Sequence, residues 1–395
     1  MANLEGYGER VFRVAGIDSE EGPMTRADES ATTLIIGRED VASIVAAVGL
    51  DSLMDEMIDG LTTAIVTFDE GVTQVRTRDG FHYSDPETGL LEWMPVMQSG
   101  ESTTIKVVGY HPRNPSARQL PTILATISVY DTTSGHLRCL IDGTFLTAMR
   151  TGAASAVASR VLARPSSRIL GVVGCGAQAV TQVHALVRTF PIDRVLIHDV
   201  DPAAMASLPG RLERFLPPGV DVTTMPLELL MQTSDIVSTA TSIGIGDGPL
   251  FQDLPTKPWL HVNAIGSDFE GKYELPVEFL RRALVSPDVL QQALMEGECQ
   301  VLAAEEIGPS LAHVTAHPGF YRSWQDALTV FDSTGWALED QVAARIMTKH
   351  ASRLGVGTAI AIEDIGSDPL DPYHLAAVAG GGPRIGAWDA SLGVT

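Results

Sequence analysis

The stretch Arg168-Ile-Leu-Gly-Val-Val-Gly-Cys-Gly-Ala-Gln-Ala-Val180 decides the fold of this chain. Its apolar run, Ile169–Val173, is short enough for a buried parallel strand. The run ends in Gly174-Cys-Gly176, and a helical pattern follows to about Arg188. A strand, a glycine turn and a helix in this order predict a dinucleotide site. The turn lets the backbone approach a pyrophosphate, and the helix N-terminus offers it free N–H groups.

A lone glycine pattern also occurs as an ordinary strand-to-helix turn in other α/β proteins. Here it is supported by Arg194-Val-Leu-Ile-His-Asp199, a second strand that ends in an acid about 25 residues after Gly174. A carboxylate at that place binds the adenosine ribose hydroxyls. Val200 and Asp201 follow, and no basic residue is close in the sequence. A 2′-phosphate would meet two carboxylates, so we predict NAD rather than NADP.

The composition is that of a globular protein with room for two domains. Of 395 residues, 45% are hydrophobic and 19% charged, and 27 basic against 49 acidic residues give a net charge of −22. So acidic a surface repels phosphate backbones, and we therefore expect no nucleic-acid partner. The cysteines Cys139, Cys175 and Cys299 are scattered, which indicates neither a disulfide framework nor a zinc site and fits a reducing cytoplasm.

We expect neither a membrane anchor nor a metal site. Residues Met1–Arg10 lack the apolar core of a secretory signal, and no apolar stretch approaches the length of a membrane span. His313 and His317 are four positions apart, but Pro318 follows at once and the sequence offers no third ligand.

The first part of the chain predicts a β-rich domain. Residues 1 to about 30 are polar and acidic and indicate a loosely attached leader. A short strand at 33–36 and helices at 39–48 and 52–68 come next. From residue 70 to about 142, short β-rich runs alternate with Gly, Pro, Asn and Asp, which predicts a mostly antiparallel sheet.

Four charged residues stand out in this region: Arg76, Glu92, Lys106 and Arg150. Lys106 interrupts the apolar pattern Thr104–Val108, so it either reaches water at a sheet edge or finds an anion. Arg150 directly precedes a predicted small-residue helix, where the macrodipole disfavours a cation. It either forms a buried ion pair or helps to bind an anion there. Glu92, also in an apolar strand, could pair with a nearby cation.

Residues from about 165 to 325 alternate strands and helices in the doubly wound α/β pattern. Ligand crevices form at the carboxyl ends of such parallel strands. The Ser and Thr end of the strand pattern 234–241 should therefore line the cofactor crevice, and Asn263 and Asp268 should point toward the nicotinamide. From Leu328 an apolar strand runs through Gly335 into a helix, which we expect to return the chain to the first domain. The tail from about 355 is expected to be irregular.

Several separated motifs together resemble the ornithine cyclodeaminase/μ-crystallin family. They include an Arg-Thr-x-Ala-Ala element, a Gly-x-Gly-x-Gln element and an Asn-Ala-x-Gly-x-Asp element in this order. The matching stretches are Glu92–Pro95, Lys106–Val108, Pro112–Pro115, Leu146–Ala154, Gly174–Ala179, Asn263–Asp268, Glu296–Glu298 and Phe331–Asp340.

This resemblance implies a homodimer built through the β-rich domain, with a Rossmann domain inserted in it. The predicted fold is therefore α/β, a doubly wound parallel sheet inserted in an α+β substrate and dimerisation domain. That domain would comprise 1–150 plus 328–395, with 1–30 and 355–395 as extensions, and the NAD-binding domain would comprise 151–327.

The resemblance also assigns roles to particular residues. Lys106, Arg150 and Arg76, or Arg78 in place of Arg76, would hold the substrate α-carboxylate. Asp268 would be the catalytic acid–base and Glu92 would bind the side-chain amine. Cofactor contacts would fall on Gly174, Gly176, Ala177, Gln178, Asp199, Thr239 and Ser333, beside the Asn263 suggested by its strand.

The implied reaction is that of a cyclodeaminase, which turns ornithine into proline, or lysine into pipecolate, with release of ammonia. A hydride leaves Cα and is returned to the cyclic imine, so that NAD is recycled. Glu92 favours such a diamino acid as substrate. An NAD(P)H-dependent amino-acid dehydrogenase, ketimine reductase or opine-like synthase on the same scaffold is a second hypothesis. A μ-crystallin-like binding protein without enzymatic activity is the third.

Overall fold

The computed structural model describes residues 32–365 and 369–373. Residues Thr33–Ile360 form one compact unit. The predicted leader and the glycine-rich end of the tail lie outside the described residues. Across the described residues, no helix combines the length and the apolarity needed to cross a bilayer.

The first half of the unit forms a mostly antiparallel sheet. Its strands follow one another from β1 to β7: Thr33–Ile36, Thr73–Val75, Asp79–Tyr83, Gly89–Gln98, Ser102–Tyr110, Ile123–Asp131 and Leu137–Asp142. Strands β4 and β5 alternate buried and more exposed residues, as expected for a sheet with one covered face. On the covered face lie Glu92, Met94, Lys106 and Val108.

The helices of this half are α1 (Arg38–Val48), α2 (Leu50–Val66), α3 (Asn114–Arg118) and α4 (Thr144–Leu162), joined by α11 (Ala337–Leu354) from far along the chain. Of these, α4 and α11 pack against the central strands of the sheet. Helix α4 begins at Thr144, so Arg150 lies inside the helix and not before it. Almost all of α4 is buried, because its small residues let α2, α5 (Ala177–Thr189) and α11 pack closely around it.

The second sheet is parallel throughout. Its strands are β8 (Ile169–Val173), β9 (Arg194–His198), β10 (Asp221–Thr224), β11 (Ile236–Thr239), β12 (His261–Ala264), β13 (Leu284–Pro287) and β14 (Thr329–Asp332). The remaining helices are α6 (Pro202–Leu212), α7 (Leu227–Thr233), α8 (Val277–Arg281), α9 (Leu290–Glu296) and α10 (Leu311–Ala316).

The order of this sheet is β10-β9-β8-β11-β12-β14-β13. The chain first builds outward from β8 and then crosses to its other side at β11, so a switch point lies between β8 and β11. Crevices for ligands open at such points, beyond the carboxyl ends of the strands. The predicted α/β fold, a doubly wound sheet together with a β-rich half, is confirmed.

Two expectations about the C-terminal part differ from the structure. The predicted first domain includes residues 328–395, but β14 pairs with β12 and β13 in the parallel sheet. We therefore propose a domain boundary after Asp332, where α11 returns the chain to the first sheet. The tail was expected to be irregular, yet Thr358–Ile360 forms a strand, β15, that pairs with β1. This pairing covers the outer edge of β1.

Candidate active site

A cavity of about 1810 Å³ lies between the two sheets and receives side chains from both. Most residues singled out in the sequence for chemistry line it together. From the β-rich half and α4 these are Glu92, Lys106 and Arg150, and from the parallel half they are Gly174, Gly176, Ala177, Gln178, Asp199, Asp268 and Ser333. The cavity therefore joins the predicted cofactor crevice to the predicted substrate pocket.

Three cations, Lys106, Arg150 and Arg78, lie close together on the cavity wall. Lys106 and Arg150 are both almost fully buried, and Arg78 lies beside them with 10% of its side chain exposed. Gly335 has a φ of +92°, and a Cβ there would lie 3.0 Å from Arg150 Nη1 and 3.4 Å from Arg78 Nη2. Glycine is required here for the turn and for the approach of the two guanidinium groups.

Two acids at the start of α11 hold these cations in place. Lys106 Nζ lies 2.9 Å from Asp340 Oδ2, and Arg150 Nη1 lies 2.5 Å from Glu339 Oε2. Arg150 Nε also lies 3.2 Å from Asp340 Oδ1. Of the two interpretations of Arg150, the buried ion pair is present, and the same side chain lines the cavity.

Burial and like charge change the proton affinity of this cluster. Burial and the neighbouring Arg150 charge lower the pKa of Lys106 to about 8, although Asp340 opposes the change. Burial raises the pKa of Glu339 to about 7, while Arg150 opposes it. Burial would lower the pKa of Arg150, but Asp340 and Glu339 raise it overall. A site of this kind has a strong cation in Arg150 and a second one in Lys106 that can lose its proton.

Asp268 faces the cavity from the loop after β12. Its Oδ1 lies 2.8 Å from Nζ of Lys272, a nearly buried cation that also lines the cavity. Burial would lower the pKa of Lys272, but the charge of Asp268 raises it above its ordinary value. The loop is held by Ser267 Oγ, which donates to the carbonyl of Lys272 at 2.5 Å, and by Gln300, which binds Gly271 N and the same carbonyl. Asp268 is thus a carboxylate in a fixed position.

Glu92 lies on the covered face of β4 with 5% of its side chain exposed. Its Oε2 is 3.4 Å from Arg78 Nη1, and its Oε1 is 3.0 Å from His82 Nε2. Arg78 Nε lies 2.9 Å from Oε1 of Glu296, and its Nη2 donates to the carbonyls of Thr334 and Gly335. Burial raises the pKa of Glu296 to about 8, with Arg78 opposing and Glu92 and Asp268 adding to the rise.

The glycine turn has the geometry that a pyrophosphate needs. Gly174 has a φ of +93°, and a Cβ there would lie 2.6 Å from the carbonyl of Ala240. A Cβ on Gly176 would meet nothing within 4 Å, so the space beside it is open. Gly176 begins α5 without a side-chain cap, which leaves the first N–H groups of this helix free for an anion.

Asp199 and Arg211 shape this turn from the second strand and from α6. Asp199 Oδ2 accepts a hydrogen bond from Cys175 N at 2.6 Å. Arg211 donates to the carbonyls of Cys175 at 2.7 Å and of Gly176 at 3.1 Å. Gly176 and Ala177 line the cavity at this turn. Ser333 also lines the cavity, and its buried Oγ has no hydrogen-bond partner among the residues that the structure describes. An open turn, a second-strand carboxylate and an unpaired hydroxyl fit a dinucleotide.

The ornithine cyclodeaminase/mu-crystallin family model matches residues 38–354. This protein belongs to that family. The L-lysine cyclodeaminase of Streptomyces rapamycinicus is 41% identical over 344 residues, which cover 87% of this chain and 99% of that protein. The resemblance drawn from the separated motifs is therefore confirmed.

Two solved structures show the same fold. A lysine cyclodeaminase whose structure describes recognition of L-lysine, L-ornithine and L-2,4-diaminobutyric acid superposes with a TM-score of 0.83 at 46% identity. It covers 87% of this chain and 99% of its own. An archaeal alanine dehydrogenase dimer with bound NAD superposes with a TM-score of 0.74 at 31% identity, covering 83% of this chain and 99% of its own.

Three residues expected at the site by motif or strand position do not line the cavity. Arg76 is exposed in the segment between β2 and β3, and Arg78 reaches the cavity in its place. Asn263 is fully buried, and its Nδ2 donates to Ser159 Oγ of α4 at 3.0 Å. Thr239 is also buried, with its hydroxyl 2.6 Å from Glu274 Oε2. The side chains of Asn263 and Thr239 therefore bind other buried side chains and do not line the cavity.

The site also contains Lys272, His82 and Glu296, for which the sequence patterns predict no role. Lys272 follows Asp268 by four positions, but only the turn at Gly271, with a φ of +77°, brings the two side chains together. Glu339 and Asp340 could have been found from the sequence. They are acids that follow the apolar residues Ala337 and Leu338 at the start of a helix, and Lys106 and Arg150 required buried anions.

Proposed function

We propose that this family member is an NAD-dependent cyclodeaminase. It converts a basic diamino acid, L-lysine or L-ornithine, into the cyclic amino acid L-pipecolate or L-proline and releases one ammonia. The supporting observation is that one cavity holds a cluster of three cations, the carboxylate of Asp268 and the separate buried carboxylate of Glu92. This arrangement matches the three charged groups of a diamino acid.

The cofactor site consists of Gly174, Gly176 and the N-terminus of α5 for the pyrophosphate, with Asp199 for the adenosine ribose. When bound, NAD accepts a hydride from the substrate Cα and returns it to the cyclic imine, so that the overall reaction is redox-neutral. The relatives named above include one with bound NAD, which supports this assignment.

Lys106, Arg78 and Arg150 bind and orient the α-carboxylate of the substrate. An arginine can hold a carboxylate through two parallel hydrogen bonds, which fixes the direction of the adjoining carbon. Because Glu339 and Asp340 already hold Arg150 and Lys106 in place, little side-chain freedom is lost on binding.

Asp268 takes the proton of the α-ammonium group. A neutral amine is needed before the Cα hydrogen can leave with its electron pair, because the nitrogen lone pair stabilises the resulting iminium. Lys272 keeps this carboxylate in place and balances its charge in a cavity that also contains Glu92.

Glu92 binds the distal ammonium group near Cα and takes one proton from it, so that the neutral amine can attack Cα of the iminium. The attack closes the ring, and a proton passes from the ring nitrogen to the α-nitrogen, which leaves as ammonia while the cyclic imine forms. This carboxylate distinguishes the leading proposal from a simple amino-acid dehydrogenase, since alanine has no group for Glu92 to bind.

The test is an assay of purified protein with catalytic NAD and each of L-lysine, L-ornithine and L-2,4-diaminobutyrate. We expect ammonia and a cyclic amino acid in equal amounts, without net change of absorbance at the NADH band. Absence of turnover with all three substrates would refute the proposal.

A second candidate is an imine-reducing or amino-acid dehydrogenase activity with net conversion of NADH. It is favoured by the 31% identity to an alanine dehydrogenase of Archaeoglobus fulgidus over 334 residues. A steady change in NADH absorbance with alanine and ammonia, or with a cyclic imine, would favour it. A μ-crystallin-like binding protein would show neither reaction.

The outer face of the first sheet supports a homodimer. Leu91 and Leu124 are 42% and 41% exposed there, and Phe81 is 67% exposed against Trp93. An apolar patch on a sheet face of this kind is typical of a subunit interface. The free, buried cysteines agree with a cytoplasmic location, which we also propose.

A further inference from the structure

Two aromatic rings from opposite halves of the molecule meet at the cavity wall. His82 belongs to β3 in the first sheet, and Phe269 directly follows Asp268 in the loop after β12. Their ring centroids are 4.7 Å apart, and both residues line the cavity. This contact therefore spans the cleft between the substrate half and the cofactor half.

The imidazole of His82 also covers Glu92. His82 Nε2 lies 3.0 Å from Glu92 Oε1, and the side chains of His82 and Glu92 are 50% and 5% exposed. The ring thus stands between this carboxylate and the solvent. The other oxygen of Glu92 faces Arg78 at 3.4 Å, so the two partners together fix the plane of the carboxylate.

We propose that His82 and Phe269 determine the specificity of the enzyme for the length of the diamino acid. They close the cavity over Glu92 and fix the point at which the distal ammonium group is held. This inference rests on the function proposed above and adds two residues, neither of which belongs to the cation cluster or is the catalytic aspartate.

The rings of His82 and Phe269 have separate effects. The imidazole supplies a hydrogen bond to a charged oxygen and keeps water away from it, and water would weaken the ion pair with the ammonium group. The phenyl ring supports the imidazole and stands next to Asp268. With both ends of the substrate held, a chain that is one methylene too long or too short misplaces either its distal amine or its Cα.

Two variants separate these effects. His82→Phe keeps a ring against Phe269 but cannot bind Glu92, whereas Phe269→Leu keeps the bond between His82 and Glu92 and removes the ring contact. The matched control is His317→Phe, the same change at an exposed histidine that does not line the cavity. Each protein is assayed for kcat and KM with L-2,4-diaminobutyrate, L-ornithine and L-lysine, and for its dissociation constant for NAD.

We expect His82→Phe to raise KM for its best diamino acid about tenfold, the loss of one hydrogen bond to a charged group. We expect Phe269→Leu to lower about tenfold the ratio of kcat/KM for the best substrate to kcat/KM for the diamino acids one methylene longer or shorter. The NAD dissociation constant should stay within about twofold in both, which also shows that the variants are folded. The control should match the unmodified enzyme in every value.

Failure of this inference and failure of the proposed function give different results. If the unmodified enzyme cycles diamino acids but both variants keep its KM values and substrate ratios, His82 and Phe269 do not determine specificity and this inference is wrong. If the unmodified enzyme turns over none of the three substrates while it binds NAD, the proposed function itself fails.

Discussion

Lys272 Nζ and Asp268 Oδ1 form an ion pair of 2.8 Å on the cavity wall, where Lys272 is nearly buried and Asp268 is 40% exposed. Lys272 also lies over the ring of Tyr110, with 5.4 Å from Nζ to the centroid. Burial raises the pKa of Tyr110, so this ring stays neutral beside the pair. The ion pair therefore holds the carboxylate of Asp268 at one place on the cavity wall.

Lys272→Met should therefore lower kcat/KM about tenfold, because the carboxylate of Asp268 loses the charged partner that holds it in position. Lys272→Arg should restore part of this loss. The measurement is kcat/KM for the three proteins, with the dissociation constant for NAD as a check that each is folded. A kcat/KM of Lys272→Met equal to that of the unmodified protein would show that the ion pair does not position Asp268.

Arg76 and Arg78 are two positions apart in the sequence, and variants of each test where the substrate carboxylate binds. Arg78→Met should lower kcat/KM at least about a hundredfold, since a charged group in a bidentate pair is lost. Arg76→Met should leave kcat/KM within about twofold, because Arg76 is exposed and does not line the cavity. Equal losses in the two variants would contradict the placement of the substrate carboxylate beside Arg78.

Asp199→Ala should weaken NAD binding about tenfold or more. The carboxylate is expected to bind the ribose, and it also accepts the hydrogen bond of Cys175 N in the glycine turn. The preference for NAD over NADP should fall, because the negative charge that repels a 2′-phosphate is gone. Titration of both cofactors by fluorescence measures this. Tighter binding of NADPH than NADH to the unmodified protein would contradict the NAD assignment.

Gly335→Ala should lower kcat/KM for the diamino acid by about tenfold or more while NAD binding is retained. A Cβ would lie 3.0 Å from Arg150 Nη1 on a backbone with a φ of +92°, so both the turn and the guanidinium must shift. Gly100→Ala is the matched control, at a φ of +73° with nothing within 4 Å of a Cβ. Equal values of kcat/KM in the two variants would show that the contact of Gly335 with the arginines does not determine activity.

The stability of the free protein should fall as the pH rises from about 5 to 8. Burial raises the pKa of Glu296 to about 8 and those of Asp332 and Glu339 to about 7. A carboxyl whose pKa is raised by folding binds more protons in the folded state, so its contribution is complete below the unfolded pKa and is lost as pH rises through the folded one.

Denaturant unfolding at pH 5.5 and pH 8 measures this change. Glu296→Gln cannot lose a proton at this position and should show a smaller difference between the two pH values. Glu101→Gln, at an exposed glutamate, should behave as the unmodified protein does. Equal stability at both pH values, or a rise toward pH 8, would show that these carboxyls do not hold protons in the folded state.

The amino-acid sequence alone determined the features that depend on neighbouring residues. The strand Ile169–Val173, the turn at Gly174 and the helix from Ala177 follow from local patterns, and the structure has them at those positions. The motifs of the family also fell on Glu92, Lys106, Arg150 and Asp268, all of which line one cavity. A charged residue in an apolar strand is costly to bury, so it indicates a partner or a site wherever it occurs.

Only the tertiary structure decided which partners these charges have. Asp340 is 234 positions from Lys106 and Glu339 is 189 positions from Arg150, and no local pattern joins residues so far apart. The choice between Arg76 and Arg78 depends on an irregular segment between two strands, where side chains do not alternate in a regular way. Asn263 and Thr239 lie at the strand ends that border the crevice, yet their side chains turn behind it, because a strand sends successive side chains to opposite faces. The direction of a side chain and its pairing with a distant residue are properties of the packed molecule, since they arise only when the two halves of the chain close around the cavity.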